Sequence, residues 1–440
     1  MGTTLGHGKP EGVPPAISFY GVFMTCGRPK TMKMEDAPNR DKEVPTALPA
    51  VPSPSEREAR TGANFQKSTA GARVRGSIVK PLMNLQGTTS RPAVDVVRPT
   101  VRALVGYTPG EQPQDRRYVK LNTNENPYPP SPRVLEAVRA SATADLRLYP
   151  DPLATELRAK AAAVYGFDVN AVVAGNGSDD LLAMIVRACV GPGDVVVYPY
   201  PTYSLYDTLV AIGDAKALHV PFPPDFSLPP GIAEAGGRVT FLCNPNSPSG
   251  TAIPLERIAD LSKRVKGLLV VDEAYVDFAG ESALELAAAA DNVVVLRSFS
   301  KSFSLAGLRI GLAFGPAAFM AELLKVKDSY NLSRTSLAAS VAALEDYGWM
   351  RDNVARVCQT RARLTLHLRE LGFEVPPSAA NFVLARRPGQ HLQTLYEALK
   401  QRGILVRYFS TPELADALRI TIGTDQEIDA LITALRELAG

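Results

Sequence analysis

The residues with the clearest chemical potential lie between Arg297 and Gly311, where Lys301 sits among the hydroxyls of Ser298 and Ser300 and Arg309 follows eight residues later. The run Val293–Leu296 just before them is β-branched and aliphatic, which reads as a buried parallel strand. A lysine just past the end of such a strand is partly desolvated. Desolvation disfavours the ammonium and leaves more free amine to attack a carbonyl. The hydroxyls and the guanidinium suit a dianionic phosphate. An amine nucleophile beside a phosphate cradle is what an enzyme needs to hold pyridoxal phosphate (PLP) covalently. Ser298-Phe299-Ser300-Lys301 also fits S-x-x-K, the nucleophile motif of certain serine acylases. That reading requires S-D-N and K-T-G companions. Ser178-Asp179-Asp180 only approaches the first, it precedes the S-x-x-K stretch instead of following it, and no K-T-G occurs.

Three further stretches bear on the choice. Val271-Asp272-Glu273-Ala274-Tyr275 ends another apolar run, Leu268–Val271. An acid there could pair with a pyridinium nitrogen and keep it protonated, and Tyr275 could donate to a phenolate oxygen on the same ring. Gly175-Asn176-Gly177-Ser178-Asp179 joins a strand to a helix N-terminus, where exposed N–H groups and the helix dipole favour an anion. It lacks the third glycine and the later acid of a dinucleotide fingerprint. Asn244-Pro245-Asn246-Ser247-Pro248-Ser249-Gly250 also ends a strand, and a polar residue before Pro248 suggests a fixed X–Pro peptide, with cis as one option.

These groups must be positioned by a larger frame. From about residue 171 the pattern alternates strand and helix, with strands expected near 171–173, 194–198, 216–220, 238–242, 268–272, 293–297 and 308–314. Helices are expected after Pro132, from Pro152 to Tyr165, up to Cys189, and over 203–212 and 254–265. Such alternation implies an α/β fold with a mainly parallel sheet between helices and ligands at the carboxyl ends of the strands. After about residue 317 long helices (317–328, 334–347, 349–371) lead to a compact α+β tail. The expected division is therefore 1–95 as a low-complexity disordered extension, 96–130 as an N-terminal arm packing with the small domain, 131–325 as a large domain, and 326–440 as a small α+β domain. Residues 1–95 have no sustained periodicity. A tail, or upstream sequence before a start at Met83, is favoured there over an organelle transit peptide.

Composition sets outer bounds. The chain has 440 residues, 45% hydrophobic and 21% charged, with a net charge of +3, which gives no argument for a nucleic-acid or membrane partner. No apolar run approaches a bilayer-spanning length. Cys26, Cys189, Cys243 and Cys358 are scattered, as are His7, His219, His367 and His391. That spacing predicts no metal site and fits free thiols in a reducing compartment, so a cytoplasmic location is expected.

Together the motifs resemble the fold-type I, class-II PLP-dependent aminotransferases, most closely those acting on histidinol phosphate. The resemblance runs from about Val101 to the C-terminus. It rests also on Tyr107-Thr108-Pro109-Gly110-Glu111-Gln112-Pro113, on Lys120-Leu121-Asn122-Thr123-Asn124-Glu125-Asn126-Pro127-Tyr128-Pro129, on Tyr149-Pro150-Asp151, and on Leu418-Arg419-Ile420-Thr421-Ile422-Gly423-Thr424. It implies Lys301 as the covalent anchor and general acid/base, Asp272 as the partner of the pyridine nitrogen, and Tyr275 as the partner of the ring oxygen. Tyr203 would stack on the ring. The backbone of Gly177, Ser178 and Asp179, with the side chains of Ser298 and Arg309, would cradle the phosphate. Tyr149 would reach the phosphate of a neighbouring subunit's cofactor, which implies a homodimer. Arg419 would clamp the substrate's anionic group, with Tyr107, Asn124 and Arg386 as further substrate contacts. One departure stands out: the family has Asn directly before the proline of its Pro-Thr-Gly turn, whereas this chain has Ser247 there and Asn246 one residue earlier. Either Asn246 or Ser247 could meet the ring oxygen. The implied reaction is transamination of L-histidinol phosphate with 2-oxoglutarate, giving imidazole acetol phosphate and glutamate, in histidine biosynthesis. The alternatives are an aromatic amino acid as donor, or phosphothreonine decarboxylation on the same fold.

Overall fold

The longest apolar runs of the chain become strands buried on both faces. The computed structural model describes residues 93–106 and 110–439; the N-terminal extension up to residue 92, and Tyr107, lie outside them. In chain order the strands are β1 (Val119–Lys120), β2 (Val172–Gly175), β3 (Val195–Tyr200), β4 (Lys216–Pro221), β5 (Val239–Cys243), β6 (Leu268–Asp272), β7 (Val293–Ser298), β8 (Gly311–Phe314), β9 (Phe382–Arg386), β10 (Ile404–Leu405), β11 (Arg407–Tyr408) and β12 (Ala417–Thr421).

Seven of them form one sheet in the order β2-β8-β7-β6-β5-β3-β4. The pairings β3–β4, β3–β5, β5–β6 and β6–β7 are parallel, while β8 runs antiparallel to both β2 and β7. Central strands β5 and β7 are buried along their whole length, which is why they read as continuous apolar runs with no alternation. One face is filled by Leu181, Leu182 and Ile185 of the helix Ser178–Cys189 with Tyr206 and Met320. The opposite face is filled by Ile258 and Leu261 of the helix Leu255–Arg264 and by Ala283 and Ala287.

The antiparallel β8 matters for the site. Because β8 reverses between β2 and β7, strands β2, β7, β6, β5 and β3 all point the same way. Their carboxyl ends share one edge, and β8 begins at that edge, with Gly311 opposite both Gly175 and Ser298. The turns after β2, β3, β5, β6 and β7, and the segment entering β8, therefore converge there.

A second sheet, β11-β12-β9, is antiparallel, and β1 pairs with β10 in parallel. Its core joins Val383, Ala385, Leu418 and Ile420 to Val357, Leu364 and Leu368 of the helix Tyr347–Glu370 and to Ile428, Leu431 and Leu435 of the helix Asp425–Ala439. One sequence expectation is corrected: Pro152 does not open a helix. The helix starts at Thr155, after Ala154 in the left-handed region (φ 50°), with Asp151 accepting from the N–H groups of Leu153 and Thr155. Asp151, not the proline, sets that boundary. Among the described residues no helix is long and apolar enough to cross a membrane.

Candidate active site

At the shared strand edge a cavity of about 220 Å³ is lined by Lys301, Asp272, Tyr275, Ser298, Ser300, Arg309, Ser178, Asp179, Tyr203 and Ser247, and by Asn124, Arg407, Phe409 and Arg419 from the arm and the second sheet. Lys301 follows β7 by three residues, Asp272 is the last residue of β6, and Tyr203 precedes the helix Leu205–Ile212. Strand ends place these side chains more firmly than free loops would.

Lys301 Nζ donates to the Thr123 carbonyl at 3.2 Å and lies 5.8 Å from the centre of the Tyr275 ring. Its pKa is pushed down to about 8, first by burial and then by the Arg419 cation, with Glu125 and Asp179 opposing. Desolvation and a like charge both favour the free amine. Asp272 is only 2% exposed; its Oδ2 accepts from Tyr206 Oη at 2.9 Å. Burial pushes its pKa up to about 6, while the Tyr206 hydrogen bond holds it down. The neighbouring acid, Glu273, is turned elsewhere: it accepts from Ser282 Oγ at 2.6 Å and pairs with Arg297 at 3.4 Å. Of the two acids, Asp272 alone lines the cavity. Tyr275 accepts from Asn124 Nδ2 at 3.0 Å, and burial pushes its phenol up to about 12.

A cluster of donors suited to an anion forms where β2, β7 and β8 meet. Gly177 (φ 87°) caps the helix Ser178–Cys189. A Cβ there would sit 2.5 Å from Arg309 Nη2, so only glycine admits the guanidinium. Arg309, itself in the left-handed region (φ 53°), donates to Ser300 Oγ at 3.2 Å and pairs with Asp179 at 3.1 Å. Tyr203 Oη donates to Asp179 Oδ1 at 3.1 Å.

On the far wall Arg407 and Arg419 are directly opposed across β11 and β12. Arg419 donates to Ser247 Oγ at 3.1 Å and to the Asn122 carbonyl at 3.0 Å. Asn246 and Ser247 differ in where their side chains lie. Asn246 is absorbed in the turn, donating to the Pro201 carbonyl at 3.2 Å and Ser249 Oγ at 3.0 Å and accepting from Thr202 at 2.7 Å, while Ser247 lines the cavity. The peptide bonds before Pro201, Pro245 and Pro248 are cis.

Arg386, an expected substrate contact, does not line this cavity, and Tyr149, expected to reach a neighbouring subunit's cofactor, lies at the surface of its own chain. Arg386 lies on the same face of the second sheet as Arg419, one pair further along, where Asp416 holds it at 2.9 Å. Tyr149 is 77% exposed and stacks on Tyr330 with ring centres 4.3 Å apart. Tyr107 is outside the described residues. Conversely, sequence reasoning passed over Tyr206, Arg407 and Phe409. Tyr206 falls three residues after Tyr203, one helical turn on, which is a usable signal. Arg407 becomes visible only through its register with Arg419, which no local pattern encodes.

The class I and II aminotransferase profile matches residues 116–435. A histidinol-phosphate aminotransferase of Citrifermentans bemidjiense is 47% identical over 344 residues, covering 78% of this chain and 98% of that protein. Histidinol-phosphate aminotransferase 1 of Trichormus variabilis is 45% identical over 345 residues, with 78% and 98% covered. Among solved structures, the histidinol-phosphate aminotransferase of Sinorhizobium meliloti in complex with pyridoxal 5'-phosphate superposes with a TM-score of 0.72 at 27% identity, covering 80% of this chain and 99% of that one. The match takes in every cavity residue named above except the part of the arm before residue 116, and the chain belongs to the class I and II aminotransferase family.

Proposed function

We propose that this protein transfers the amino group of L-histidinol phosphate to 2-oxoglutarate through PLP, giving imidazole acetol phosphate and glutamate in histidine biosynthesis. The observation that carries this reading is the half-buried, electrostatically depressed Lys301 sharing one cavity with a phosphate cradle on one side and two opposed arginines on the other. The names of the relatives support the choice of substrate. The cavity residues fit the cofactor: glycine at 177 lets the Arg309 guanidinium lie against a helix N-terminus, and the half-buried Lys301 amine lines the same cavity.

When bound, PLP supplies an aldehyde that links to an amine and a protonated ring that takes up electrons released at the substrate carbon. Asp272 would pair with the ring nitrogen and keep it protonated, and the Tyr206 hydrogen bond orients Asp272 and favours its ionised form. Tyr275 and Ser247 present hydroxyls to the ring oxygen, and Tyr203 covers the ring face. The backbone of Gly177, Ser178 and Asp179, with Ser298, Ser300 and Arg309, binds the phosphate. Lys301 Nζ, as the free amine, would be the group that takes up and gives back the proton of the substrate carbon. Arg419 and Arg407 grip the anionic end of either substrate, phosphate or carboxylate, because a guanidinium pairs bidentately with both.

The same reading includes a homodimer in which Tyr149, exposed and stacked on Tyr330, would reach the partner's phosphate site. It also includes a cytoplasmic location, and a large domain over 131–325 with a small domain over 326–440.

The test is Lys301→Ala with histidinol phosphate and 2-oxoglutarate. The expected result is loss of glutamate formation and of borohydride-fixable cofactor, with tight non-covalent PLP binding retained. Turnover at the wild-type rate would overturn the assignment.

A further inference from the structure

Tyr275 poses a question of direction. A tyrosine hydroxyl can accept and donate, and a ring oxygen carrying negative charge is helped only if Tyr275 donates to it. Three buried groups decide which way the proton points. Asn124 is held in the left-handed region (φ 57°) in the arm loop, with its carbonyl accepting from Asn381 Nδ2 at 3.0 Å. Its backbone N–H donates to Thr421 Oγ1 at 2.9 Å, and Thr421 Oγ1 lies 3.0 Å from Asn124 Oδ1. Asn124 Nδ2 lies 3.0 Å from Tyr275 Oη.

Follow the hydrogens. Thr421 Oγ1 already accepts the N–H of Asn124, so its own hydrogen goes to the side-chain oxygen of Asn124. The reverse amide orientation would put two donors on the threonine oxygen and leave its buried hydroxyl hydrogen without an acceptor among the described residues. With Oδ1 fixed toward Thr421, Nδ2 faces Tyr275, and Tyr275 Oη must accept. The phenolic hydrogen then has no acceptor among the described residues, and Tyr275 lines the cavity. Burial keeps that phenol protonated, at about 12.

We propose that Thr421 is a positioning residue that acts through Asn124 to fix the polarity of Tyr275, so that the phenolic hydrogen is directed into the cavity toward the cofactor's ring oxygen. This rests on the reading of Tyr275 as the ring-oxygen partner. It gives Asn124 a role apart from substrate contact, and it ties the polarity to β12, the strand that carries Arg419. Arm, large sheet and second sheet each contribute one member of the relay.

The experiment compares Thr421→Val, which keeps shape and loses the hydroxyl, with Thr421→Ser, which keeps the hydroxyl, and with Tyr275→Phe. Each holoenzyme is titrated with pH by the absorbance of its Lys301-linked cofactor, and PLP affinity is measured on each apoprotein. Circular dichroism verifies folding. Thr421→Val should move the spectroscopic midpoint in the same direction as Tyr275→Phe and by less, and should weaken PLP binding about two- to tenfold, the range of one hydrogen bond. Thr421→Ser should restore both values. Adding Thr421→Val to Tyr275→Phe should move the midpoint no further. The proposal is overturned if Tyr275→Phe shifts the midpoint and Thr421→Val does not, or if Thr421→Val shifts it equally in the Tyr275→Phe background. No shift with Tyr275→Phe itself would instead remove the ring-oxygen reading, and the proposal with it.

Discussion

Lys301 is under two pressures that act in the same direction. Burial removes water from its ammonium, and the Arg419 cation makes a second positive charge unwelcome, so the pKa falls from 10.5 to about 8. At pH 7 about one chain in ten then carries a neutral amine, against roughly one in three thousand for an unperturbed lysine. The sign is definite: only the neutral form attacks an aldehyde, so raising pH helps until the pKa is passed. Stopped-flow absorbance of PLP capture by the apoprotein should show a rate rising through a midpoint near pH 8 and flat above it; a midpoint near 10 would contradict the environment described. Single residues were legible in the sequence where a strand end announced them, as for Lys301, Asp272 and Tyr275. Arg386 was not, because Asp416 captures it through a contact 30 residues away in sequence that no motif records. Tyr206 was signalled only by its spacing from Tyr203, because its partner Asp272 ends a strand 66 residues further on.

Elements bring the cradle together, and one reversed strand makes this possible. Since β8 starts at the edge where β2 and β7 end, the segment just before it delivers Arg309 beside Gly177. A Cβ on Gly311 would lie 2.6 Å from the Gly177 backbone, which no side-chain motion can relieve. A Cβ on Gly177 instead meets the far end of a flexible arginine at 2.5 Å. Gly177→Ala should therefore leave a folded apoprotein but displace Arg309, weakening PLP binding about tenfold or more, as for loss of a charge-assisted hydrogen bond. Equilibrium dialysis or fluorescence titration measures this, and unchanged affinity would remove Arg309 from the cradle. The βα alternation, and hence the strand edge, could be read from β5, β6 and β7 because buried parallel strands are uniformly apolar. That β8 is antiparallel could not: its four residues, Gly311–Phe314, carry no signal of direction. The helix start at Thr155 is not legible because Pro152 has the character of a first-turn residue, whereas Asp151 caps the turn from outside.

At the scale of the molecule, two sheets divide the chemistry. The large sheet supplies Lys301, Asp272, Tyr275, Ser298 and Arg309 to the cavity; β11 and β12 of the second sheet supply the opposed arginines, and the arm carrying β1 joins them through Asn124 and Thr123. The mainly parallel sheet and the α+β tail followed from the change of texture near residue 317. The pairing of Arg407 with Arg419 depended on the fold of the tail and stayed hidden. A guanidinium pairs with phosphate and carboxylate alike, so the proposed choice of donor calls for its own test. The measurement that tests it most directly is kcat/KM for L-histidinol phosphate against phenylalanine and tyrosine, with 2-oxoglutarate as acceptor. The account predicts a preference for histidinol phosphate of about a hundredfold or more, the scale set by losing one well-placed ionic contact. Equal or higher values for phenylalanine or tyrosine would contradict it.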